Sequence, residues 1–148
     1  MSTYRPATQD QLLAIRANAG IAEIAQSERY AAAEPDLVEA IVEGVGQFAA
    51  GEWAPLNRVG DLEGAKLENG VVRLPDGFAE AYQMFVDNEW LSLAQNPQYG
   101  GQGLPFLIHL AASEMWNSAC TSLALCPMLT AGGIDALSAH GSDELKEK

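Results

Sequence analysis

A chain of 148 residues with 20 acidic and 8 basic side chains, net charge −12, is sized for one domain. It is a poor nucleic-acid binder, because such affinity comes from Lys and Arg on phosphates. Hydrophobic residues at 48% and charged residues at 19% exclude a disordered chain. No apolar run approaches the ~20 residues of a membrane span, and the start MSTYRPATQDQ lacks a basic-then-apolar signal. Two cysteines, Cys120 and Cys126, give no disulfide framework. The expected location is cytoplasmic.

Residues 9–24 carry Leu12, Leu13, Ile15, Ile21 and Ile24 around Gly20, which predicts one broken helix or two short ones. EPDLVEAIVEGVGQFAAGEW then opens with Pro35 among acids, as a first helical turn does. Leu37, Val38, Ile41, Val42, Val45, Phe48 and Ala49 recur at steps of three and four, with Glu39 and Glu43 opposite. Gly44, Gly46 and Gly51 lower helix propensity there, and close packing against another helix is the expected reason. From Pro55 the helical spacing breaks. Asn69-Gly70, set between Ala65–Leu67 and Val71–Leu74, predicts a small hairpin excursion over 65–74.

After Pro75 helical spacing returns through Phe78, Tyr82, Phe85, Val86, Glu89 and Leu93. It stops at the loop QNPQYGGQGLP. LPFLIHLAASEMWNSA and CTSLALCPMLTAGGIDALSAHG follow as two largely apolar helices, expected to be buried on nearly all sides, with Pro127 kinking or restarting the second. Ser142 caps a last helix in SDELKEK, and the chain reads as a fragment that stops one turn into it. The fold class is all-α.

The glycine loop fits no phosphate cradle. A dinucleotide fingerprint needs G-x-G-x-x-G after a strand, whereas Gly100-Gly101-Gln102-Gly103 follows a helix, and no Gly-Lys-Ser/Thr ending is present. A helix stop and tight turn, using glycine for positive φ, accounts for it. No metal site is expected, since Cys120 and Cys126 are six apart and point to different helix faces. His109, in an apolar helix, reads as a hydrogen-bonded core or interface histidine, and His140 as a contact at a helix C-terminus. Trp53, Trp90 and Trp116 read as packing, and Glu114 as a surface acid.

NPQYGGQGLP, preceded by LPDGFAEAYQMFVDNEWLSL and followed by ASEMW, resembles the N-terminal helical domain of the acyl-CoA dehydrogenase family. Tyr99, Gly100, Gly101 and Gly103 carry that family phrase. HGSDELKEK is similar to a stretch that leads into the family's β-domain, and YRPATQDQLLAI to the N-terminal extension of longer members, those like 3-methylmercaptopropionyl-CoA dehydrogenase. The resemblance implies an extension over 1–33 and the α-domain over 34–148. It implies an FAD enzyme that takes the α-proton of an acyl-CoA with a glutamate base and the β-hydrogen as hydride on the flavin. Electrons then pass to an electron-transfer flavoprotein.

The flavin-contacting segment and the glutamate would lie beyond Lys148, so the resemblance assigns this chain no catalytic residue and no bound FAD of its own. It places Leu123, Cys126, Pro127 and Met128 beside the acyl chain. The expectation is an inactive part of a dehydrogenase that self-associates through uncovered apolar surface. The alternative is a stand-alone helical interaction module.

Overall fold

A computed structural model of the protein describes residues 4–147. Helix α1 (Thr8–Leu13) runs into a π turn at Ala14–Asn18 and stops at Gly20, whose φ of +64° belongs to the left-handed region. Helix α2 (Ile21–Ile24) follows, so the broken-helix reading of 9–24 holds. Leu12, Ile15 and Ile21 point into the core.

Helix α3 (Pro35–Phe48) starts with proline in its first turn and buries Val38, Val42, Val45 and Phe48, the inner part of the predicted stripe. It does not end near Trp53. A π turn at Ala49–Trp53, closed by Ala54 N–H on the Ala49 carbonyl, carries the helix into α4 (Ala54–Glu63). The expected break at Pro55 is therefore corrected. The extra residue of the π turn falls just before the proline, which has no N–H to contribute, and the helix tolerates it in a first-turn position.

Strands β1 (Lys66–Glu68) and β2 (Val71–Arg73) pair antiparallel, with Leu67 opposite Val72. Asn69 (φ 51°) and Gly70 (φ +79°) are both left-handed, as a type I′ hairpin requires. Helix α5 (Phe78–Asp87) is shorter than the spacing through Leu93 implied. Glu89 (φ 57°) turns the chain into a 3-10 turn at Trp90–Ser92. Helices α6 (Phe106–Ala119), α7 (Thr121–His140) and α8 (Asp143–Lys146) complete the order. The Ser142 hydroxyl accepts from Leu145 N–H at 3.4 Å, the expected cap.

Between α3, α5 and α6 lies an aromatic centre. Phe85 stacks on Trp53 at 5.0 Å and meets the edge of Trp116 at 5.1 Å, while Phe48 joins Trp53, Phe85 and Trp90. Buried Trp53 satisfies its indole N–H on the Ala81 carbonyl at 3.2 Å. The first residues clasp this core from outside. Tyr4 donates to the Met115 carbonyl at 2.8 Å, and Arg16 pairs with Glu39. At Gly46 a Cβ would sit 2.7 Å from Thr8 Oγ1 and 3.3 Å from Pro6. Close packing thus explains Gly46, though against the N-terminal segment. Gly44 admits the Trp90 ring, and Gly51 faces open space.

Helix α7 corrects a second expectation. It is one unbroken helix through Pro127, and only Leu123, Ala124 and Pro127 are buried, whereas Leu125, Met128 and Leu129 are 49%, 51% and 71% exposed. Apolar composition records how much surface prefers burial but not which neighbour supplies it, and the described residues pack against one narrow face. At 20 residues and mean hydropathy 1.3, α7 is also long and apolar enough by composition to cross a bilayer, contrary to the reading that no run approaches that length.

Candidate functional site

Two features converge on α7: the glycine loop at one end and an apolar cleft near the other. In the loop, Asn96 caps a 3-10 turn at Pro97–Tyr99 by accepting from Gln98 N–H at 2.9 Å, and Gly100 (φ +88°) reverses the chain. Gly101 lies against the backbone of Gln95, where a Cβ would collide with its carbonyl group. Gly103 (φ +68°) lies over Pro97, whose Cγ would be 2.7 Å from a Cβ. Gly101 and Gly103 therefore make room for the loop's own chain, whereas Gly100 supplies only the left-handed turn.

The loop's amides are used in the same way. Gly100 N–H donates to Pro97, Gly101 to Asn96, Gln102 to Ser92, Gly103 to Gln95 and Leu104 to Leu93, all between 2.9 and 3.2 Å. A phosphate cradle needs such amides free and convergent. The loop consequently does not fit the pyrophosphate of a flavin dinucleotide, and no step through a flavin is assigned to it. It does form a wall. Tyr99, Gly100 and Gly101 border a cavity of about 280 Å³ whose far side is Ile134 and Leu137 of α7 and Leu145 of α8. Gly103 borders a separate, more polar cavity of about 470 Å³ with Arg29 and Asp135.

The four pocket candidates on α7 do not share a face. Leu123 and Cys126 border a cleft of about 550 Å³ against α4 and α5, together with Phe78, Tyr82 and Ser122. Pro127 is fully buried against the core, and Met128 projects outward beside Leu125 and Leu129. The 100° step per helical residue separates Cys126 from Met128 by more than half a turn. Tyr82 and Ser122 were not singled out from sequence. Tyr82 entered only as one residue of a helical stripe and Ser122 not at all, because a cleft between three helices is assembled from positions far apart in the chain.

The Tyr82 phenol is pushed above its ordinary range, first by the neighbouring Cys126 thiol and then by burial. His109 is half-buried on α6. Its ring stacks on Phe106 at 5.4 Å and meets Trp116 at 5.6 Å, but buried Nδ1 has no hydrogen-bond partner among the described residues. Burial holds its pKa below the usual histidine value, partly offset by the field of Asp135. His140 occupies the last turn of α7, and Glu114 is exposed on α6. Cys120 is buried at the start of α7 while Cys126 is exposed, and among the described residues no three His, Cys, Asp or Glu side chains converge on a point.

A family model described as "Acyl-CoA dehydrogenase, N-terminal domain" matches residues 35–148. The chain is also 44% identical over 144 residues to a 3-methylmercaptopropionyl-CoA dehydrogenase of Ruegeria pomeroyi. That alignment covers 97% of this chain and 24% of the relative, so the chain spans about a quarter of the protein it resembles. Helical architecture, the hairpin, the loop phrase and the family match agree: the chain belongs to the acyl-CoA dehydrogenase family, through its N-terminal helical domain.

Proposed function

We propose that this chain is the N-terminal helical part of an FAD-dependent acyl-CoA dehydrogenase that oxidises the α,β-bond of an acyl-CoA thioester. In this reading residues 1–33 form an extension and 34–148 the domain proper. The outward face of α7 is the observation that supports it. From Thr121 to Ile134 the helix has no charged residue, in a chain of net charge −12, and it leaves Leu125, Met128 and Leu129 exposed. Such a surface suits one wall of an acyl-chain chamber, with Met128 as the candidate for setting how deep the chain enters. Flavin, when bound, supplies the hydride acceptor. This chain's share is an apolar, water-excluding wall, and the base, the flavin contacts and the docking of an electron-transfer flavoprotein belong outside it.

A chimera provides the test. This chain replaces the matching quarter of the Ruegeria pomeroyi relative, and flavin content and dye-coupled oxidation of 3-methylmercaptopropionyl-CoA are measured. The expected result is a flavin-loaded, active chimera in which Met128→Trp raises KM for longer acyl chains more than for short ones. A folded chimera that binds flavin but oxidises no acyl-CoA would overturn the reading. The chain by itself is expected to purify without flavin absorbance and to be inactive.

The same exposed face supports a second reading, a helical interaction module that acts through association. Light scattering after size exclusion separates the two uses of the surface. Self-association that Leu129→Lys abolishes, in a chain whose chimera is inactive, would favour the module.

A further inference from the structure

The cleft between α4, α5 and α7 lies on a different side of α7 from Met128, and the acyl-wall reading makes no use of it. Its size, about 550 Å³, falls within the range of small-ligand sites, roughly 300–1,000 Å³. Small residues open it. A Cβ at Gly64 would meet nothing within 4 Å, whereas one at Gly60 would lie 2.7 Å from the Phe78 ring and 3.1 Å from Ser122 Oγ. Gly60 thus lets the Phe78 ring close the floor, and Gly64 leaves space above it.

The lining is chemically selective. Leu74, Pro75, Phe78 and Leu123 give apolar walls, and among the described residues no Lys, Arg, Asp or Glu borders the cleft, although the chain has 20 acids. Ser122 and Cys126 stand four residues apart on one face of α7, where a helix brings side chains side by side. Tyr82 of α5 borders the same cleft as Cys126. One wall therefore carries a short uncharged strip of hydroxyl and thiol groups, and the rest carries none. An ionised ligand would lose its hydration there without gaining a counter-charge.

We propose that this cleft binds a neutral aliphatic molecule with one hydrogen-bonding end, a medium-chain alcohol being the simplest case. The alkyl chain lies on Leu74, Phe78 and Leu123, and the hydroxyl meets Ser122, Cys126 and Tyr82. This site rests on the cleft alone and is independent of the acyl-wall reading.

1-Octanol is the probe, titrated into the chain while the side-chain NMR signals of Leu74, Phe78, Tyr82 and Leu123 are followed. Saturable shifts confined to those residues are expected, with a dissociation constant on the order of 1 mM for so small a ligand. Octanoate should bind at least tenfold more weakly at neutral pH. Ala79→Phe, which fills the mouth, should weaken octanol at least tenfold, and Ala65→Leu serves if that variant does not fold. Leu13→Ala, on the exposed side of α1, should leave the octanol affinity unchanged. Shifts centred on Leu125 and Leu129, octanoate binding as tight as octanol, or undiminished binding in a folded filling variant would each overturn the proposal.

Discussion

At the scale of single residues, two kinds of glycine restraint can be separated in the loop. Gly100 needs positive φ but has no atom within 4 Å of a Cβ, so Gly100→Ala is expected to cost about 1 kcal/mol in backbone strain. Gly101 has an ordinary φ but faces the Gln95 backbone, which cannot rotate away. Gly101→Ala should therefore cost more, about 3 kcal/mol, read from urea midpoints. Equal costs would show that the loop yields. His109 gives a pH signature. Its folded pKa lies below the ordinary 6.5, so an unfolded chain takes up a proton that the folded one refuses. Its contribution is intact above that value and is lost as pH falls through it toward the folded pKa. His109→Phe is expected to lessen the stability difference between about pH 7.5 and about pH 5.5, and Asp135→Asn to enlarge it by removing the opposing field. A His109→Phe variant with an unchanged pH dependence would place the titration elsewhere.

At the scale of elements, the N-terminal segment is anchored by buried Leu12 and Ile15 and tied down by Tyr4 on the Met115 carbonyl, Arg16 on Glu39, and Thr8 and Pro6 over Gly46. Gly46→Val should wedge it off, so that amides 8–18 lose hydrogen-exchange protection while α6 keeps its own. Simultaneous loss in both would make the segment part of one cooperative unit. Helix α7 behaves in the opposite sense. Gly132 and Gly133 are interior helical positions with nothing within 4 Å of a Cβ. Alanine at each is expected to raise stability by about 1 kcal/mol, the helix-propensity difference, in thermal or urea unfolding. The helix elements themselves were partly readable. The proline-led start of α3 and the Ser142 cap are local chemistry. The continuation through Pro55 was not readable, because a π turn is a register shift that apolar spacing does not encode.

At the scale of the whole molecule, a strongly acidic chain joins an outward α7 surface that carries no charge from Thr121 to Ile134 to an inner aromatic core. Net repulsion opposes association and the apolar face favours it, so self-association should strengthen as salt screens the charge. Light scattering at low and high ionic strength checks this, and dissociation at high salt would contradict it. The all-α class, the hairpin, the cap of α8 and the family were determined by sequence alone. They rest on local rules: apolar spacing, the φ demands of Asn-Gly, a serine before a helix, and an ordered phrase around Tyr99. Only the tertiary structure decided that α7 is mostly uncovered, that Leu123 and Cys126 face a different side from Met128, and that Tyr82 borders their cleft. It also decided that His109 Nδ1 lacks a hydrogen-bond partner among the described residues. The physical reason is that composition fixes how much surface seeks burial, while its neighbours are set by helices packing across gaps that no local pattern spans.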